Sequence, residues 1–65
     1  MPNFLTSRQR AIVILLAEGH RNKEIAAALG LSASTVKAHL YMLYRTLGLR
    51  GREALALYAL EHRLV

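Results

Sequence analysis

Apolar positions in this chain recur at helical rather than alternating spacing. Val36, Leu40, Leu43 and Leu47 follow one another at intervals of four, three and four, the mark of a single buried stripe at about 3.6 residues per turn. The spacing predicts a helix over Ala33 to Leu47, capped by Ser32 and stopped by Gly48. Upstream, Thr6-Ser7-Arg8-Gln9 fits a capping box, in which the Thr hydroxyl caps the helix and the Gln reaches back. Helix one is expected from there to about Glu18, with Ile12, Leu15 and Leu16 inward and Gly19 as the left-handed terminal residue. The β-branched run Ile12, Val13, Ile14 favours a strand, but the cap and the terminal Gly outweigh it.

Asn22 is the predicted cap of a second helix, whose inner face is Ile25, Ala26 and Leu29 and which Gly30 breaks. Only Leu31 and Ser32 then precede helix three. So short a break makes the two helices cross steeply, and the small Ala26, Ala27 and Ala28 let their backbones approach, which is helix-turn-helix geometry. After Gly48, Leu49 is expected to turn back to the core, and a fourth helix from about Gly51 to His62 carries Leu55, Leu57, Ala59 and Leu60. The expected fold class is all-α, a four-helix bundle with residues 1–65 as one domain, since 65 residues have room for one small core. No repeat, linker or low-complexity tract interrupts it.

Charge sharpens this picture. The formal net charge is +5, which points to a polyanionic partner. A membrane surface would need a broad exposed apolar face, and these apolar positions are needed for the core. The longest apolar run, Ala11 to Ala17, is far short of the roughly 20 residues that span a bilayer, and the N-terminus lacks the pattern of a secretion signal. Cysteine is absent, which excludes disulfides and thiolate metal sites and fits a cytoplasmic setting.

The outer side of helix three gives the charge a location. Ser34, Lys37, Ala38, Tyr41 and Arg45 fall within roughly 100° of one another, opposite the apolar stripe. An ordinary solvated face mixes Glu and Lys in i,i+4 pairs. Here Lys37, Arg45, Arg50 and Arg52 follow one another with no acid between. A helix presenting small, hydroxylated, aromatic and cationic groups matches the major groove of B-DNA: Lys37 can donate to guanine O6 and N7, Ala38 admits a thymine methyl, and Tyr41 offers a hydroxyl. Ser34 and Thr35 lie in the first turn, where free backbone amides favour a phosphate.

The segments LTSRQRAIVILLAEG, NKEIAAALGLSASTVKAHL, YRTLG and LRGREAL together resemble the LuxR-type, or GerE-like, helix-turn-helix domain of bacterial transcription regulators, over about Phe4 to the C-terminus. The resemblance implies a response-regulator-like output domain that binds duplex DNA with its third helix in the major groove, usually as a dimer on inverted half-sites. By position it places Lys37, Ala38 and Tyr41 at base edges, and Asn22, Lys23, Ser34, Thr35, His39 and Arg45 near phosphates. Two departures stand out. Gln9 occupies a position that is commonly Glu, keeping the cap but losing a charge, and Tyr41 stands where relatives are often polar or basic. RNA polymerase is a candidate further partner.

Other chemistry is poorly supported. His20, His39 and His62 share no ligand-like spacing and there is no Asp, so no metal and no cofactor is expected. Glu18, Glu24, Glu53 and Glu61 form no adjacent carboxylate pair, so an enzyme is not expected; Glu24 is expected to be an interior or turn-stabilising partner for a nearby Arg or Lys. Helix four has more apolar surface than so small a bundle can bury, and Ala54, Leu57, Tyr58 and Glu61 are the expected two-fold contact of a homodimer, unless this surface packs back on helix one. The alternatives are a protein-interaction module, with helix four recruiting a partner, and RNA binding, for which the aromatics Phe4, Tyr41, Tyr44 and Tyr58 are too scattered.

Overall fold

A computed structural model describes residues 5–65. Four helices make up this part of the chain: α1 (Ser7–Ala17), α2 (Asn22–Leu29), α3 (Ala33–Leu47) and α4 (Arg52–Glu61). The bundle measures 30 × 20 × 20 Å. α1 packs chiefly on α4 and α2 chiefly on α3, with further contacts from α1 to both α2 and α3. One core results: Ile12, Val13 and Leu16 of α1, Ile25 and Ala26 of α2, Val36, Leu40 and Leu43 of α3, and Leu55 and Ala59 of α4.

The expected inner face of α1 is shifted. Ile12 and Leu16 are buried as expected, but Val13 is buried with them and Leu15 only half-buried. The reason is that α1 is contacted by all three other helices, so its buried face is broader than one stripe. The capping box forms as read, with the Gln9 N–H donating to Thr6 Oγ1 at 3.0 Å and the Thr6 N–H donating to Gln9 Oε1 at 2.9 Å.

At α2 the cap differs from the expectation. Asn22 is the first helical residue, and Arg21 is the cap. Glu24 reaches back to accept from the Arg21 N–H at 2.8 Å, so it stabilises the turn through the backbone amide of a nearby Arg, with the His20 ring 3.6 Å from the same carboxylate oxygen. Asn22 is instead held from a distance: Arg52, at the head of α4, donates to Asn22 Oδ1 at 2.8 Å and to the His20 carbonyl at 2.7 Å. A second guanidinium does a related task at the other end of α2, where Arg8 donates to the Leu29 carbonyl at 3.2 Å. A cation there also suits the negative end of the helix.

All four helices stop in the same manner. The amides of His20, Leu31, Leu49 and Leu64 donate to the carbonyls of Leu15, Ala26, Tyr44 and Ala59 at 3.1, 2.9, 2.8 and 2.8 Å. Each six-residue closure needs a left-handed residue just before the donor. Gly19, Gly30 and Gly48 supply it for the first three, at φ of +96°, +70° and +69°, and Arg63 supplies it for α4 at +56°. Leu31, Leu49 and Leu64 then fold onto the core, closing the turns with apolar contact. α4 is slightly shorter than expected, because Gly51 and His62 flank it as caps.

Arg63 is the one residue among these four that meets steric cost in the left-handed region. Arg63→Gly is therefore expected to stabilise the domain by about 0.5–1 kcal/mol, read as a higher urea midpoint. An unchanged or lower midpoint would show that the arginine makes a compensating contact.

Candidate nucleic-acid interface

The orientation of α3 is set from inside. Val36, Leu40 and Leu43 are at most 2% exposed, with Leu47 half-buried beside them. The opposite flank is therefore forced outward, and Ser34, Lys37, Ala38, Tyr41 and Arg45 are all exposed. Tyr41 retains 67% of its surface, large for an aromatic side chain. His39 lies on the boundary between the two sides and is half-buried.

The first turn of α3 is organised by Ser32. Its Oγ accepts from the Thr35 N–H at 3.1 Å and donates to Thr35 Oγ1 at 2.8 Å. The Ser34 hydroxyl lies 3.1 Å from the same oxygen. Because Ser32 gives its only hydroxyl proton to Thr35, the Thr35 proton is left to point elsewhere, as a donor suited to an acceptor oxygen. Ser34, Thr35, Ala38, His39 and Met42 line one shallow concavity. Tyr41, Tyr44, Arg45, Leu49 and Arg50 line a second, further along α3 towards the loop before α4.

These groupings bring most of the sequence-derived residues onto one continuous helix surface. Lys37 shares that surface without lining either concavity. Asn22 and Lys23 stand apart, in the first turn of α2. Lys23 is exposed, while Asn22 is half-buried with its carbonyl oxygen engaged by Arg52, which leaves its amide NH2 as the free donor. Two residues of the surface escaped the sequence reading. Met42 is 61% exposed beside Ala38, and its offset of four from Ala38 was the signal. Arg50 joins Arg45 in the second concavity, and its membership of the acid-free run was the signal.

The electrostatics of this flank are simple. Among the described residues, the carboxylates within ion-pairing distance of a basic side chain are Glu18 and Glu24, at 3.8 Å and 3.6 Å from the His20 ring. Lys37, Arg45 and Arg50 pair with neither. Burial pushes the Tyr44 phenol above its ordinary value, partly offset by the nearby Arg52, so it is a neutral hydrogen-bonding group at neutral pH. The Arg21 N–H, aided by His20, holds the Glu24 carboxyl below its ordinary value of 4.5.

On α4, Leu55 and Ala59 are buried, whereas Leu57 and Leu60 are 53% and 63% exposed. Ala54 and Tyr58 are half-buried and Glu61 is exposed. Tyr58 is also stacked on His62, with ring centroids 4.1 Å apart. The apolar surplus anticipated for this helix is therefore present on its outer side. Among the described residues no group of His and carboxylate side chains is arranged to hold a metal ion, and no helix is long and apolar enough to cross a membrane.

Comparison with known proteins assigns a family. Residues 3–59 match the model of the GerE family, described as bacterial regulatory proteins of the luxR family. The chain belongs to that family. It is 51% identical over 53 residues to YhjB of Escherichia coli K12, whose name describes it provisionally as an HTH-type transcriptional regulator; the match covers 82% of this chain and 26% of YhjB. It is 36% identical over 62 residues to the response regulator protein VraR of Staphylococcus aureus, covering 95% of this chain and 30% of VraR. The same identity and coverage hold for VraR of Staphylococcus epidermidis. The chain thus spans between a quarter and a third of the length of these relatives.

The lowered Glu24 value has a definite sign. A carboxyl whose value falls on folding stabilises the folded state above its unfolded value, and that contribution is lost as pH falls through the folded one. The stability difference between the wild type and Glu24→Gln should therefore be constant near neutrality, shrink as pH falls below the ordinary value of 4.5 and vanish below the lowered folded one, as followed by thermal unfolding at a series of pH values. A difference that persists at the acid end would show that the carboxylate charge is not involved.

Proposed function

We propose that residues 1–65 are a sequence-specific, double-stranded-DNA-binding domain that regulates transcription, with α3 entering the major groove. The observation that carries this reading is the division of α3: an apolar stripe with Val36, Leu40 and Leu43 buried, and an outward flank of Ser34, Lys37, Ala38, Tyr41 and Arg45 that is free of acid. Lys37, Ala38 and Tyr41 read base edges. Ser34, Thr35, His39 and Arg45 hold phosphates on either side, joined by Lys23 and the Asn22 amide from α2. The relatives support it, as proteins named as two kinds of regulator align with most of this chain. A setting in the bacterial cytoplasm, with RNA polymerase as a neighbouring partner, follows from the same reading. The domain performs no chemistry of its own.

The test separates base reading from phosphate holding. Lys37→Ala should cost about 1–3 kcal/mol on the preferred duplex and relax one base position, whereas Arg45→Ala should weaken binding to all duplexes alike and flatten its salt dependence. Titrations of preferred and random duplexes at several salt concentrations measure both. Equal losses on both duplexes for Lys37→Ala would remove it from the base readers, and shallow salt dependence of the wild type would point to the protein-interaction reading.

Dimerisation through α4 is the second part of the proposal. Leu57, with Ala54, Tyr58 and Glu61 around it, forms the two-fold contact, supported by the exposure of Leu57 beside the half-buried Ala54 and Tyr58. Leu57→Glu should abolish two-chain occupancy of a duplex carrying inverted half-sites while leaving single-chain binding to one half-site intact, as seen by sedimentation. Unaltered two-chain occupancy would place the contact elsewhere.

A further inference from the structure

Met42 has no part in the core, yet it is among the most exposed large apolar side chains of the described chain. Single exposed apolar residues are common on protein surfaces, so exposure alone carries little. Its neighbours carry more. Met42 closes a shallow concavity of about 330 Å³ whose other walls are Ser34, Thr35, Ala38 and His39. On the helical wheel Met42 lies about 40° from Ala38 and about 20° from Thr35, so the thioether, the Ala38 methyl and the Thr35 side chain line the same side of α3. Lys37 lies on the other side of Ala38, about 100° round the wheel. The outward flank of α3 is therefore divided lengthwise at Ala38, with Lys37 and Tyr41 on one side and the Met42 thioether on the other.

We infer that Met42, together with Ala38, forms a seat for the C5 methyl of thymine and so biases the preferred duplex towards thymine at that position. This rests on the reading that α3 enters the major groove. Within that groove the thymine methyl is the one apolar feature that a base edge presents, since the other edges offer donors and acceptors. An occupant that is part of a polyanion fits this helix, because its outward flank also carries Lys37 and Arg45 and no carboxylate. A flexible, polarizable thioether can follow a methyl group without demanding one rotamer. Met42 is thus a specificity-determining residue that neither the stripe of α3 nor its cations account for.

Replacing thymidine by deoxyuridine removes this methyl and leaves every pairing group in place. The wild-type chain first selects its preferred duplex from a random library, and each thymidine of that duplex is then replaced in turn. One position per half-site should bind the wild type about three- to fivefold more weakly without its methyl. Met42→Gln, similar in length but polar at its end, should bind the thymidine and deoxyuridine duplexes alike at that position. Its thermal midpoint should match the wild type, since Met42 is exposed and outside the core. Methyl sensitivity that is absent throughout, or identical in the wild type and Met42→Gln at every position, overturns the seat alone. A wild-type chain that enriches no duplex overturns the underlying DNA-binding reading as well.

Discussion

The burial of Val36, Leu40 and Leu43 is the constraint on which the rest of the molecule turns. A helix held along one stripe has a single rotational setting, and every other side chain on it inherits a direction. A shift of one residue in that setting would turn α3 by about 100°, carrying Lys37 towards the core and exposing leucine in its place. The bundle resists this through the contacts of α2 and α1 with the stripe. The outward presentation of α3 is thus a by-product of apolar packing, and the polar flank is free to vary without disturbing the fold.

That independence explains why so much was readable from sequence. Hydrophobic spacing located α3 to the residue, and the capping box and the glycines at 19, 30 and 48 marked helix ends through purely local geometry. What was misread depended on distant parts of the chain. Asn22 is a favoured cap type, yet it lies inside α2 because Glu24 closes on Arg21 while Arg52, thirty residues on, engages the Asn22 carbonyl oxygen. Val13 rather than Leu15 completes the α1 core because three helices surround α1, which periodicity along one segment cannot register.

The candidate interface divides along the same line. Which residues face outward on α3 was legible, because it follows from the stripe. Which outward residues stand together was less so: Met42 with Ala38 and Thr35, and Arg50 with Arg45 and Tyr41, are groupings made by the helix surface and the loop before α4. Family membership is compatible with this division, since a common fold fixes the rod and leaves the surface residues to differ between regulators. Tyr41, exposed and outside the core, is a position of that kind.

Arg8 and Arg52 bear on how the positive charge of this small domain should be counted. Each guanidinium donates to a neutral oxygen, Arg8 to the Leu29 carbonyl and Arg52 to the His20 carbonyl and Asn22. Neither is neutralised, so both still add to the field that draws a polyanion in from a distance of about one Debye length, roughly 8 Å at physiological ionic strength. One terminal nitrogen of Arg8 and both of Arg52, however, are already engaged within the bundle. Long-range attraction and short-range grip thus draw on different subsets of the same nine cations, and a charge total describes the approach of a partner better than its final embrace.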